Sequence, residues 1–197
     1  MAPVIPVLVV EDVAAARPLA EALIAGGLSV LEVTLRTPAA LDVIYKMAKV
    51  PGATVGAGTL LSPKDVAAAR RAGAKFGVTP GSTDRLLGAC ETEDLPVLPG
   101  AATASEVLSL LERGYTVQKF FPAEANGGPN ALKAIGEPLP EAMFCPTGGV
   151  TPQNARSYLS LQNTLCVGGS WVAPKALIEA GKWDDMENLA RTACQLV

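Results

Sequence analysis

The chain contains no histidine. That gap removes the commonest general base, the serine–histidine triad and any histidine-based metal centre, so acid–base chemistry falls to a carboxylate, a lysine, a tyrosine or a thiol. Positive charge is not in surplus either. Sixteen Lys and Arg against nineteen Asp and Glu give a formal net charge of −3 and a sequence pI near 5.1, which leaves no basic footprint for nucleic acid. The cysteines Cys90, Cys145, Cys166 and Cys194 include no CxxC pair and are too few to staple a small scaffold; they read as reduced, inert packing residues of a cytoplasmic protein. Long hydrophobic runs are missing as well. VIPVLVV near the start is short and meets Glu11 and Asp12 at once, which suits neither a secretory leader nor a membrane span. No Pro/Gly/Ser linker divides the chain, so 1–197 reads as a single domain.

What is present is apolar mass in a regular beat. Of 197 residues 49% are hydrophobic and mean hydropathy is +0.31, enough to bury a large core and to exclude a disordered or fibrous chain. Short apolar runs (VIPVLVV, SVLEVTL, ATVGAG, KFGVTP, PVLPG, TVQKFF, AMFCPTGG, TLCVGG) alternate with Ala-rich stretches such as VAAARPLAEALIAGG, PAALDVIYKMAKV and PKDVAAARRAGA. The latter repeat apolar residues at helical spacing, as at Ala16, Leu19, Ala20 and Leu23, and several end in Gly. About eight strand–helix units predict an α/β fold, a (β/α)8 TIM barrel rather than an open sheet. The dinucleotide fingerprint of an open sheet is missing, since GAG at 56–58 runs into Thr-Leu-Leu.

In such a barrel, side chains alternate between lumen and helix-covered exterior, and chemistry collects at the C-terminal ends of the strands. In SVLEVTLR the apolar Leu31, Val33 and Leu35 take the outer face, which turns Glu32 and Arg36 inward. In VQKFF the alternation groups Val117, Lys119 and Phe121 on one face and Gln118 and Phe120 on the other. An outward Lys119 would lie under helices without a partner, so its face is taken as the lumen.

Each candidate has a plainer reading beside the functional one. Lys119 could form a structural salt bridge to Glu32. Yet it lies at the strand's C-terminal end beside Phe120 and Phe121, where desolvation disfavours the charged form, and an uncharged amine is what attack on a carbonyl requires. Glu32 and Arg36 could simply pair with each other, or one could carry a proton while the other grips an anion in two-pronged fashion. PTGGV (146–150) and VGGS (167–170) could merely turn the chain; on neighbouring strands they also suit a phosphate cradle of backbone N–H groups with the first turn of a helix. Thr59 could help hold a carboxylate or cap the helix announced by SPKD. Pro80 would shape the wall, Trp171 and Trp183 pack, and EANGGPN is either a mobile loop over the mouth or a surface connection.

Taken in order, VLEVTLRT, VGAGT, KFFPAEANGG, FCPTGGV and VGGSW resemble the 2-keto-3-deoxy-6-phosphogluconate aldolase family over nearly the whole chain. The resemblance implies that Lys119 forms a Schiff base and Glu32 is the general acid–base residue. It implies that Arg36 and Thr59 hold the pyruvyl carboxylate, that Pro80 and Phe121 line the pocket, and that Thr147, Gly148, Gly149, Gly169 and Ser170 receive the phosphate end. It further implies a homotrimer of barrels, a phosphorylated keto-acid substrate yielding pyruvate, frequent cleavage of 4-hydroxy-2-oxoglutarate, and no cofactor, metal, nucleic-acid or membrane partner. One departure stands out: the family's members begin with a helix that plugs the barrel base, whereas here the first strand-like run opens almost at once, on the side away from the reacting end. Two other readings stand beside this one, a phosphate-gripping barrel isomerase that uses Glu32 only as a base, and a non-catalytic trimeric scaffold.

Overall fold

In a computed structural model describing residues 2–196, the alternation becomes strand and helix in turn. The first strand, β1 (Val4–Leu8), leads through a 3-10 turn at Val13–Ala15 into α1 (Ala16–Ala25). Then follow β2 (Val30–Thr34), α2 (Ala40–Met47), β3 (Thr54–Gly58), α3 (Pro63–Arg71), β4 (Phe76–Val78) and α4 (Asp84–Thr92). The PVLPG run yields β5 (Val97–Leu98) and β6 (Gly100–Ala101), followed by α5 (Ala104–Glu112), β7 (Val117–Phe120) and α6 (Gly128–Gly136). The chain continues with β8 (Met143–Pro146), α7 (Ala155–Leu159), β9 (Val167–Gly169), α8 (Lys175–Glu179) and α9 (Trp183–Cys194).

Local chemistry accounts for the helix starts. Ser62 accepts from the Asp65 N–H ahead of Pro63, a residue with no N–H of its own to leave unpaired in a first turn. Thr103 and Glu106 form a reciprocal capping box at α5, satisfying two donors at once.

Every strand pairing is parallel. One ladder runs β5-β4-β3-β2-β1-β9 and a second runs β6-β7-β8. The expected closed eight-stranded ring therefore stands in its coarser form, an α/β fold with a curled parallel sheet divided into ladders of six and three strands. The division falls at Pro99, which has no N–H to donate to a ladder, although its carbonyl accepts from Lys119 at 2.8 Å. On the other flank, isolated parallel bridges link Phe144 to Thr164 and Thr147 to Gly168.

The face assignments follow the alternation. Leu31 and Val33 are fully buried in the apolar core, and the Gln118 amide donates outward to the Val107 carbonyl of α5. Phe120 joins that outer face, its ring 6.4 Å from Phe144 in an edge-to-face pair, and full burial of each ring contributes about 1.5–3 kcal/mol. Trp171 and Trp183 pack against the core, half-buried. No described helix is long and apolar enough to cross a membrane.

Candidate active site

On the inner face of the sheet, β2 presents Glu32 and β7 presents Lys119. Lys119 Nζ donates to Glu32 Oε1 at 3.4 Å, and the two side chains are 5% and 4% exposed. An ammonium so deeply buried is tolerable because a carboxylate sits against it; either group alone would be costly. The Phe121 ring lies over the amine at 5.1 Å, within cation–π range. Phe120 does not shield the amine, contrary to the expectation drawn from its neighbouring position. One residue along a strand turns the side chain to the opposite face.

The space around the pair is made by glycine. A Cβ at Gly58 would lie 2.2 Å from Glu32 Oε1, so the carboxylate occupies the volume a side chain on β3 would fill. On the other side Lys119 is in register with Cys145, which shares its face. Hydrogen bonding with the Cys166 thiol, reinforced by burial, holds the Cys145 thiol well above its ordinary range, so it stays protonated beside the pair.

Arg36 and Thr59 lie just beyond the C-terminal ends of β2 and β3. Arg36 Nε donates to Thr59 Oγ1 at 3.2 Å, and among the described residues Arg36 forms no salt bridge with Glu32. The capping alternative for Thr59 fails, because Ser62 caps α3. Thr59 instead has φ of 60°, a left-handed backbone that costs a β-branched residue on the order of 1–3 kcal/mol. Pro80 follows β4, and its carbonyl leaves room only for the glycine at Gly100, where a Cβ would fall 2.5 Å from that oxygen.

The glycine-rich loops stand at the same end. Gly148 and Gly149 have φ of 98° and 78°, conformations that disfavour any side chain. The carbonyls of Thr147 and Gly148 accept from the Ala123 and Glu124 N–H groups at 2.8 and 3.0 Å, and the Gly149 carbonyl accepts from Asn154 Nδ2 at 3.1 Å. Phe121 packs against Gly148, where a Cβ would lie 3.2 Å from the ring, which ties the lysine end of the site to this loop. Thr147 is buried and faces Gly168; Gly169 lies under the Trp171 ring, and Ser170 is exposed. The helices do not begin at these loops: α7 and α8 start at Ala155 and Lys175 and are five residues each, so the loop backbone rather than a helix terminus supplies any N–H cradle.

Of the eleven residues singled out in the sequence, Glu32 lies mid-strand in β2 and the other ten lie towards the C-terminal ends of strands or in the loops that follow them. Sequence reasoning passed over Glu124 and Tyr158, whose hydroxyl donates to the Glu124 carboxylate. Only the neighbouring Gly-Gly pair signalled Glu124, and Tyr158 looked like one more apolar helix residue. Among the described residues no group of three or more Cys, Asp or Glu side chains is placed to hold a metal ion.

Comparison with known proteins agrees on one family. A family model described as KDPG and KHG aldolase matches residues 1–189. A 2-dehydro-3-deoxy-phosphogluconate aldolase of Pseudoalteromonas atlantica is 54% identical over 192 residues, covering 97% of this chain and 89% of that protein. The 2-keto-3-deoxy-6-phosphogluconate aldolase of Zymomonas mobilis ZM4, solved with 3-phosphoglycerate, superposes with a TM-score of 0.93 at 49% identity, covering 100% and 92% of the two chains. The KDPG aldolase of Legionella pneumophila, with pyruvate captured at low pH as a covalent carbinolamine intermediate, gives 0.94 at 44% identity and covers 96% and 93%.

Proposed function

The chain belongs to the KDPG and KHG aldolase family, and we propose that it cleaves 2-dehydro-3-deoxy-6-phosphogluconate to pyruvate and glyceraldehyde 3-phosphate through a lysine Schiff base. Cleavage of 4-hydroxy-2-oxoglutarate to pyruvate and glyoxylate belongs to the same proposal. The observation that carries it is the buried Lys119–Glu32 contact of 3.4 Å on the inner face of the sheet. A buried pair alone would also suit a structural salt bridge or an isomerase base; the carbinolamine captured in the Legionella relative favours the imine.

In the proposed mechanism Glu32 accepts a proton from the Lys119 ammonium, and the free amine attacks the C2 ketone. Glu32 returns that proton to the carbinolamine hydroxyl, which leaves as water and creates the iminium. The carboxylate, through a water, then takes the C4 hydroxyl proton. The C3–C4 bonding pair flows into the iminium, releasing the aldehyde and leaving an enamine. Protonation at C3 and hydrolysis by one water free pyruvate and restore the amine. The protonated imine polarises the substrate as a metal would elsewhere, so the scheme calls on no metal or cofactor.

Arg36 and Thr59 hold the carboxylate of the keto acid and aim C2 at Nζ, a positioning contribution. Pro80 and Phe121 line the pocket. The phosphate end lies on Thr147, Gly148, Gly149, Gly169 and Ser170; the Gly148 and Gly149 N–H groups are suited to it because the loop's carbonyls are tied back into the protein. We further propose a single domain closed into an eight-stranded barrel. The hydrogen bonds from Lys119 N to the Pro99 carbonyl and from Leu165 N to the Phe144 carbonyl, 2.8 and 2.9 Å, support closure. A cytoplasmic homotrimer completes the proposal, supported by the family resemblance and by the apolar Leu41, Tyr45 and Leu61 left exposed.

Borohydride reduction in the presence of pyruvate tests the chemistry. A three-carbon adduct on Lys119, found by mass spectrometry, is the expected result, with turnover lost in Lys119→Arg because guanidinium forms no such imine. Folded protein with an unmodified Lys119 would refute the mechanism.

A further inference from the structure

The short helix α7 holds both loops at the proposed phosphate end. Asn154, immediately before it, donates from Nδ2 to the Gly149 carbonyl at 3.1 Å. Tyr158, four residues on and therefore on the same side of the helix, donates its hydroxyl to Glu124 Oε1. Glu124 belongs to the stretch 121–127 between β7 and α6, and its backbone N–H bonds the Gly148 carbonyl at 3.0 Å. Its stem fills the space beside Gly149, where a Cβ would fall 2.7 Å from both Glu124 Cβ and Cγ. The Tyr158 ring is fully buried, so the hydroxyl is a fixed point rather than a mobile surface donor.

Glu124 needs such a fixed point. Among the described residues it forms no salt bridge, and its backbone is hydrogen-bonded to the loop proposed to receive a dianion. A carboxylate swinging free there would repel a phosphate, whereas one held against Tyr158 is directed into the protein.

We infer that Tyr158 and Glu124 are a pair of positioning residues that sets the shape of the Thr147–Gly149 loop and keeps a carboxylate off the phosphate, and so determines preference for the phosphorylated substrate over the non-phosphorylated one. This rests on the proposed aldolase reading for its substrates. Neither side chain touches the reacting carbons. Their removal acts on one end of the ligand and spares the imine.

Tyr158→Phe in the full chain tests it. KM for 2-dehydro-3-deoxy-6-phosphogluconate is expected to rise about tenfold, the scale of one lost charge-assisted hydrogen bond. Turnover of 4-hydroxy-2-oxoglutarate, which carries no phosphate, and borohydride trapping of pyruvate are expected to stay within about twofold. Glu124→Gln keeps an acceptor for Tyr158 without the charge and is expected to retain the wild-type preference. Should Tyr158→Phe fail to fold, Glu124→Ala removes the stem beside Gly149 and the contact to Tyr158 without leaving a free carboxylate, and is expected to shift the preference in the same direction by a smaller factor. An unchanged ratio of kcat/KM for the two substrates, or equal losses on both, would overturn the inference. Calorimetric binding of glycerol 3-phosphate separates it from the parent reading. Weaker binding by Tyr158→Phe supports the pair even if the wild-type protein traps no pyruvate, a result that would refute the aldolase reading alone; equal binding by both proteins, in a wild type that traps pyruvate, refutes the pair alone.

Discussion

Substituting Lys119 by Met removes the cation and keeps most of its apolar stem, leaving Glu32 buried without its partner. Both side chains are about 95% removed from solvent, at 5% and 4% exposure, so the near-zero value of a surface ion pair does not apply. Breaking one side of such a buried pair costs about 3–5 kcal/mol, most of it from the orphaned charge. For a chain of this size each kcal/mol moves the thermal midpoint by roughly 2–4 °C, so Lys119→Met is expected to melt roughly 6–20 °C lower. Removing both charges should reverse the loss. Lys119→Met combined with Glu32→Leu replaces the pair by apolar groups of similar size and is expected to return to within about 1 kcal/mol of wild type, or above it. Denaturation followed by circular dichroism, at one fixed protein concentration for all variants, measures the cycle. A single variant melting at the wild-type midpoint would refute the reasoning, as would a double variant whose losses simply add.

Three further outcomes follow from the geometry. Gly58→Ala places a methyl 2.2 Å from Glu32 Oε1 and must displace the carboxylate; kcat/KM should fall about 100-fold while overpacking costs only about 1–3 kcal/mol, and normal imine trapping would count against this. Backbone donation from Ala102, then the Thr103 hydroxyl and N–H, hold Glu106 below its ordinary 4.5 against an opposing effect of burial. Its folded value lies under the unfolded one, so its stabilisation is present above pH 4.5 and is lost as the pH falls below it; Glu106→Gln should melt with a shallower acid dependence there. Burial and then the hydrogen bond to Glu91 push Tyr115 from 10.0 up to about 12, so its contribution is complete below pH 10.0 and lost as pH rises towards 12; Tyr115→Phe should lack that alkaline loss in pH-dependent unfolding.

The inward pair was legible because two strands each carried a charge in an otherwise apolar alternation, and period-two geometry leaves only one face for both Glu32 and Lys119. The same periodicity, applied strictly, also places Phe120 away from the amine; adjacency in sequence misled where alternation did not. The division of the sheet at Pro99 was not anticipated: PVLPG reads as one apolar run, and only the two ladders show where the proline's missing N–H interrupts it. Other features had no local signature. Tyr158 and Glu124 are 34 residues apart and meet only through the fold, and Cys145 becomes a neighbour of Lys119 only through strand register. Nothing in VGAGT announces that its threonine, rather than a glycine, takes a positive φ.

That threonine sets two selections against each other. Heat selection on this protein would be drawn to position 59, since asparagine or glycine relaxes the backbone there, while selection for catalytic throughput would restore the hydroxyl that meets Arg36. If Thr59 holds the substrate carboxylate as proposed, a gain in thermal stability at this position comes with a loss of turnover.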